Sequence, residues 1–283
     1  MITSSISYVN IAFFCLMRYN EFIIKNGKRR KIMANYNIVF SPTGGTEKVA
    51  KALCVGLGGE WREIDLCCDT EEMSFDKQDI CLVSVPSYGG RVPGIAIERL
   101  KKFSGKGAKA VLVCAYGNRA WDDTLTELQD TLEAGGFVCA AAVAAVAEHS
   151  VFRCYAAGRP DTQDESQLKD FALQLREKLT CSDPSPLKLE GSHGTYREFN
   201  GIPFKPEGND NCGGCGLCAQ KCPVGAIDPK NPKNTDKKKC ISCMRCLAIC
   251  PKHARDFDPE IVAAAAASKA EFLGGHKENY LFV

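Results

Sequence analysis

The sequence predicts a doubly wound α/β domain followed by a small α+β module built around metal centres. Three observations carry that expectation. Short apolar or β-branched runs alternate with amphipathic segments over about 145 residues, a linker rich in Pro, Gly and Ser then breaks both periods, and two cysteine arrays of identical spacing follow.

Strand-like runs lie at 36–40, 60–66, 79–85, 108–115 and 137–146, and most have the continuous apolar character of buried parallel strands. Between them a helical pattern begins at Glu47, Pro93 opens a helix running through Leu100, and Leu125, Leu128 and Leu132 recur at helical spacing until Gly135-Gly136 stops them. A last helix places Leu168, Phe171, Leu175 and Leu179 on one face. Residues 181–210 follow neither period, and the linker is expected to pack along the first domain. The expected organisation is an extension at 1–32, the α/β domain at 33–180, a linker at 181–202, the cysteine-rich domain at 203–258, and a C-terminal helix and tail at 259–283 with alanine-rich helix pattern over 261–271. The closing "ENYLFV" points to no chemistry.

Composition sets bounds. The 283 residues are 45% hydrophobic and 25% charged, as in a soluble globular chain, and a net charge of +2 gives no whole-protein argument for nucleic acid. The 17 cysteines are too many for a reducing-compartment protein of this size unless many bind metal. Residues 8–17 form an apolar stretch of ten, too short to span a membrane, and the basic cluster Lys28-Arg29-Arg30-Lys31 follows it where a secretory signal has charge in front. Residues 1–32 are therefore read as an over-extended start or a poorly ordered extension before Met33, membrane binding is not expected, and the expected location is cytoplasmic.

The first cysteine array is Cys212, Cys215, Cys218, Cys222 followed by Pro223, and the second is Cys240, Cys243, Cys246, Cys250 followed by Pro251. Each cysteine of the second lies 28 residues after its counterpart, and Ala226 and Asp228 answer to Ala254 and Asp256, so this is an internal duplication. Three thiolates converging on one face of a cube require a chain that wraps tightly, which Gly213, Gly214 and Gly216 permit in the first array. Zinc takes four ligands in two pairs, and disulfides are disfavoured without a secretory signal, so the pattern points to iron–sulfur. The other nine cysteines show no ligand spacing; Cys81, Cys114 and Cys139 fall in strand patterns, where cysteine behaves as a small hydrophobe.

The stretch Ser41-Pro42-Thr43-Gly44-Gly45-Thr46 directly follows the first strand pattern. Hydroxyls and glycines before a helix make a site for an anion, because a helix start exposes unpaired N–H groups. A nucleotide triphosphate and a flavin phosphate are the leading candidates. An ATPase loop needs a lysine beside its last glycine, whereas Lys48 stands three residues after Gly45, and Gly-x-Gly-x-x-Gly is absent as well. Two further loops, "PSYGGRVPG" at 86–94 and "AYGNRAWDD" at 115–123, sit at the carboxyl ends of strands, where open α/β sheets bind ligands.

Ser41, Thr43, Gly44 and Thr46 match, position by position, the Ser/Thr-x-Thr-Gly-x-Thr loop of the flavodoxin family, which the first domain resembles. That resemblance implies a five-stranded parallel sheet in the order 2-1-3-4-5 and an FMN whose phosphate rests on Ser41, Thr43, Gly44, Gly45 and Thr46. It further implies that the two loops flank the flavin ring, with Tyr88 or Tyr116 stacked on it and Ser87, Gly89, Gly90, Gly117 and Asn118 near its polar edge. His149, after the fifth strand, is the candidate proton donor, against a purely structural role; Arg119 and Asp122 are left without a settled one. The cysteine spacing is similar to that of bacterial two-cluster ferredoxins, which implies that Cys212, Cys215, Cys218 and Cys250 hold one [4Fe-4S] cluster and that Cys240, Cys243, Cys246 and Cys222 hold the second.

The whole chain beyond residue 33 resembles the fused flavodoxin–ferredoxin proteins of anaerobic bacteria. This implies electron transfer between two clusters and a bound FMN, coupling one- and two-electron steps, or alternatively a ferredoxin-fused flavin reductase acting on a small-molecule substrate. Five lysines against two aspartates at 228–239 fit an acidic redox partner protein as well as a solvated loop.

Overall fold

The first strand, β1 (Asn35–Val39), is buried along almost its whole length, as its apolar run requires. Parallel partners flank it: β2 (Trp61–Asp65), a largely exposed edge strand, on one side and β3 (Ile80–Pro86) on the other. Beyond β3 come β4 (Lys109–Tyr116) and β5 (Val138–Val146), giving the order β2-β1-β3-β4-β5 in this computed structural model. Residues 24–25, 28–29, 33–181 and 186–283 are described. The reading of residues 1–32 therefore lies almost wholly outside the described residues; what is described there is a hairpin pairing Ile24–Lys25 with Lys28–Arg29.

Helices cover both faces of the sheet. On one, Val49, Ala50 and Leu53 of α1 (Gly45–Leu57) and Leu168, Leu175 and Leu179 of α4 (Thr162–Thr180) share a core with Val111, Val113 and Val143. On the other, Ala96 and Leu100 of α2 (Gly94–Leu100) and Leu125, Leu128 and Leu132 of α3 (Thr124–Ala134) pack on Ile38, Val83 and Leu112. Asp161 starts α4 as a capping box, accepting from the Gln163 and Asp164 amides at 2.9 and 3.0 Å.

The tail read as silent has a structural task. Residues 140–146 of β5 are fully buried, small and uncharged, so an open β5 edge would be an unprotected sheet edge. Strand β6 (Tyr280–Phe282) pairs antiparallel with it and makes the sheet six-stranded. Asn279 locks this return: its Oδ1 accepts from the Val146 amide at 2.8 Å, and its Nδ2 donates to Asp164 and Gln167.

The linker lies on the α/β domain. Leu187 enters the core beside α3, and Asp130 of α3 accepts from the Gly194 amide at 2.9 Å and from the Tyr196 hydroxyl. The cysteine-rich segment follows with two short helices, α5 (Leu217–Gln220) and α6 (Arg245–Ala248), and a two-residue ladder of Glu207–Gly208 with Arg255–Asp256. The alanine-rich pattern forms α7 (Pro259–Ala267), capped by Asp258, and α8 (Ala270–Leu273), which are separated at Ser268-Lys269. Ala34–Val283 is one compact unit, with a third core of Val151, Phe152, Phe204, Met244, Ala266 and Leu273 where its parts meet. Among the described residues no helix is long and apolar enough to cross a membrane.

Candidate functional site

Strand β1 delivers the loop 41–46 to the start of α1, where Gly44 turns the chain at φ +91°, a conformation that glycine makes without a Cβ clash. The Glu47 amide is taken by Ser41 Oγ at 2.9 Å, and the Lys48 amide by the Gly44 carbonyl. The Gly45 and Thr46 amides have no acceptor among the described residues. Two unspent amides with the hydroxyls of Thr43 and Thr46 at a thirteen-residue helix form a donor set that fits a phosphate monoester. Lys48, weighed in the sequence only as a missing ATPase lysine, lines a cavity of about 300 Å³ beside this loop with Arg153 and Arg159. Its place in the first turn of α1 was the available signal.

A second cavity, of about 330 Å³, runs from the loop across the carboxyl ends of the strands. Thr43, Gly45 and Thr46 lie at one end, with Ser87, Tyr88, Gly89 and Gly90 on one side and Tyr116, Gly117 and Arg119 on the other. Four expected site residues do different work from that expected of them. Ser41 points its hydroxyl at the helix, outside this lining. Tyr116 is 2% exposed, meets Trp121 edge to face at 5.2 Å and donates its hydroxyl to the Glu278 carbonyl, which ties it to the tail. Asn118, at φ +64°, donates to the Leu273 and Gly275 carbonyls and anchors the tail. His149 accepts the Val151 and Phe152 amides on Nδ1 at 3.2 and 3.1 Å, and burial pushes it down to about 4. A neutral imidazole with Nδ1 occupied is a loop-fixing residue and a poor proton donor, although it does line the cavity.

The remaining walls come from segments to which the sequence assigned no role in this cavity: Phe199 of the linker, Ile241 and Ser242 of the second cysteine array, and Lys269, Phe272 and Leu273 of the C-terminal helices. Phe199 lies directly against Gly89. No local pattern in the sequence announces these contacts, because each depends on how distant segments meet.

The eight cysteines sort into two groups. Cys212, Cys215, Cys218 and Cys250 line one small cavity, and Cys222, Cys240, Cys243 and Cys246 another, so the fourth cysteine of each array joins the other array's first three. Among the described residues no three metal-ligating side chains form a single-ion site; each set of four borders a volume. The Ala226 and Ala254 amides, 28 positions apart, donate to Cys222 Sγ at 3.3 Å and Cys250 Sγ at 3.2 Å. Four thiols bordering a space, with amides directed at sulfur, fit a [4Fe-4S] cube.

The second group is set against the α/β domain. Arg99 of α2 donates to the Leu66 carbonyl at 2.6 Å and the Pro223 carbonyl at 2.8 Å, and Arg245 approaches Asp65 at 3.5 Å. Tyr88 stands between the two sites: burial, then the neighbouring Cys243 and Cys67 thiols, raise its phenol well above the ordinary range.

Comparison with known proteins agrees with this division. Residues 211–255 match the 4Fe-4S dicluster domain family. The module is thus of the iron–sulfur type, and the chain joins it to a flavodoxin-like α/β fold, a combination that makes this a redox protein. An epoxyqueuosine reductase of Bacillus cereus is 27% identical over 137 residues, a match covering 35% of this chain and 36% of that protein, so the chain spans about a third of its curated relative's length. Among solved structures, a flavodoxin of Streptococcus pneumonia TIGR4 is 20% identical, with a TM-score of 0.37, covering 51% of this chain and 99% of that one. Flavodoxin 1 of Bacillus cereus is 13% identical, with a TM-score of 0.36, covering 51% and 97%. The fold assignment rests on the strand order and register above.

Proposed function

We propose that this chain is an intramolecular electron conduit between two [4Fe-4S] clusters and an FMN held on the loop 41–46. One observation carries the reading: Ile241 and Ser242 belong to the loop of the second thiol group and also form a wall of the cavity above the phosphate loop. Bound there, FMN exchanges one or two electrons and each cluster exchanges one, so the chain would join one- and two-electron chemistry. Thr43, Thr46 and the Gly45 and Thr46 amides hold the phosphate; the loops at 87–90 and 116–120 border the ring; Phe199 and Leu273 exclude water. A volume of about 330 Å³ is at the lower end for ligand pockets, which leaves little room beside a flavin.

A direct flavin reductase has one observation in its favour. Phe199 and Phe272, 37% and 61% exposed, form an apolar rim on the cavity of the kind that holds a substrate ring. An acidic redox protein is the proposed partner, docking on Lys237, Lys238 and Lys239 beside Cys240, where Lys101 and Lys205 line the same groove. We place the protein in the cytoplasm, where thiolates stay reduced.

The test is an anaerobic preparation with iron, sulfide and flavin counted per chain, followed by Thr43→Val and Thr46→Val. Each lost hydroxyl is expected to weaken FMN binding roughly tenfold to a hundredfold, from the ~1.5–3 kcal/mol of a hydrogen bond to a charged group. Unchanged binding in both variants rejects the phosphate site. Reoxidation of the reduced flavin by protein carriers alone supports the conduit, and rapid reoxidation by a small molecule supports the reductase.

A further inference from the structure

The duplication places Arg255 at the position equivalent to Ile227, 28 residues earlier. The two do not play the same part. Ile227 lines only the cavity of Cys222, Cys240, Cys243 and Cys246, whereas Arg255 lines both thiol cavities. Arg255 is 4% exposed. Its Nη1 donates to the Pro232 and Lys233 carbonyls, and its Nη2 to the Pro206 carbonyl at 2.6 Å and to Thr235 Oγ1. Nε is buried and has no partner among the described residues.

Those acceptors are all neutral. A guanidinium keeps its charge in a protein, and burying it without a counter-ion costs several kcal/mol. No carboxylate pairs with Arg255 among the described residues, whereas the half-buried Arg159 has Asp164. The remaining source of negative charge is the pair of cavities it borders. A [4Fe-4S] centre held by four thiolates is an anion, and it becomes more negative when it takes up an electron.

We infer that Arg255 is a buried cation shared by the two clusters, which it serves as counter-ion and whose reduction potentials it raises. This rests on the two-cluster reading above. Arg245, also with a buried unpartnered Nε, adds a second cation to the cavity of Cys222, Cys240, Cys243 and Cys246, so that cluster has the more positive surroundings. The physical cause is Coulombic: the reduced cluster carries more negative charge than the oxidised one, so a fixed cation in a low-dielectric site stabilises the reduced form more. No bond forms or breaks. Each cluster takes one electron from the titrant, and Arg255 remains protonated throughout.

The experiment is an anaerobic redox titration of the full chain with dithionite, followed by electron paramagnetic resonance, on the wild type and on Arg255→Lys, Arg255→Gln and Arg255→Ile. Iron and sulfide counts on the wild type score the two-cluster reading separately, since about eight irons support it and about four reject it. Arg255→Ile copies the first repeat and is expected to lower both midpoints, with at least a tenfold change in the reduction equilibrium of the cluster beside the flavin cavity, ~59 mV for a one-electron couple. Arg255→Gln, which keeps hydrogen-bonding groups without charge, is expected to follow it and carries the test if Arg255→Ile fails to assemble clusters. Arg255→Lys is expected to stay near the wild type. Unmoved midpoints in a fully loaded Arg255→Gln, or a fall in Arg255→Lys as large as in Arg255→Gln, would overturn the inference.

Discussion

The two cysteine arrays have the same spacing and the same backbone but different surroundings. Gly214, Gly216 and Gly225 adopt φ of 72°, 72° and 60°, and their counterparts Ser242, Met244 and His253 adopt 56°, 61° and 48°. A left-handed conformation costs a non-glycine residue about 1–2 kcal/mol, so the second array accepts a strain that the first avoids. What it gains is contact. Ser242 Oγ accepts from Lys205 Nζ at 2.9 Å, and Met244 is 2% exposed in the core shared with Phe152 and Phe204. Gly213, Gly214 and Cys215 of the first array are exposed. The sequence repeat therefore supplies two cysteine loops of one backbone, and in the second of them Ser242, at a glycine position of the first, lines the cavity above the loop 41–46.

The largest effect expected from this asymmetry comes from removing one ligand on each side. Cys243→Ser should abolish electron delivery from the clusters to the flavin, whereas Cys215→Ser should lose about four irons yet leave the flavin reducible through the remaining cluster, as read by iron counts and flavin absorbance. Equal effects from the two would erase the distinction. Next in size is the clamp that holds the tail against the buried side. Arg159→Ala breaks the enclosed pair with Asp164 and should cost ~3–5 kcal/mol in urea unfolding. Burial alone would raise the Asp164 carboxyl, but hydrogen bonds from Arg159, the Asp161 amide and Asn279 outweigh it and hold it at about 2. A depressed folded-state value stabilises above the unfolded value, near pH 3.9, so this contribution should be complete above about pH 5 and be lost as the pH falls through about 2; a urea midpoint followed against pH checks it.

A smaller effect separates the backbones. Gly214→Ala, where an added Cβ meets nothing within 4 Å, should cost ~1–2 kcal/mol from conformation alone. Ser242→Gly should come out near neutral, because the relieved strain is offset by a lost hydrogen bond of ~0.5–1.5 kcal/mol. Thermal unfolding of the loaded protein distinguishes them, and equal losses would show that the two loops do not differ in strain. Smallest, Lys238→Gln with Lys239→Gln should slow association with an acidic redox protein a few-fold at low salt and leave it unchanged at high salt, in stopped-flow mixing.

Much of this architecture was legible in the sequence. The five parallel strands fall within one or two residues of the runs read from the sequence; for β1, β3, β4 and β5 the reason is that a buried strand must be apolar throughout, whereas β2 is a largely exposed edge. Each of the two small cavities is bordered by three cysteines of one array and the fourth of the other. Tyr116, Asn118 and His149 were legible as residues at the right strand ends but not in their tasks, because the acceptors of the first two, at 273–278, lie more than 150 positions away. The tail failed to declare itself for the same reason. Its cue was indirect, an uncharged fifth strand with an edge left to cover.

The central claim is that the second cluster and the flavin exchange electrons within one chain. Anaerobic stopped-flow mixing of the loaded protein with a substoichiometric one-electron donor, recorded at cluster and flavin wavelengths over a range of protein concentrations, tests it most directly. The account predicts cluster reduction followed by flavin reduction with a rate constant independent of protein concentration. Flavin reduction that accelerates in proportion to protein concentration, or a flavin that stays oxidised beside reduced clusters, would contradict it.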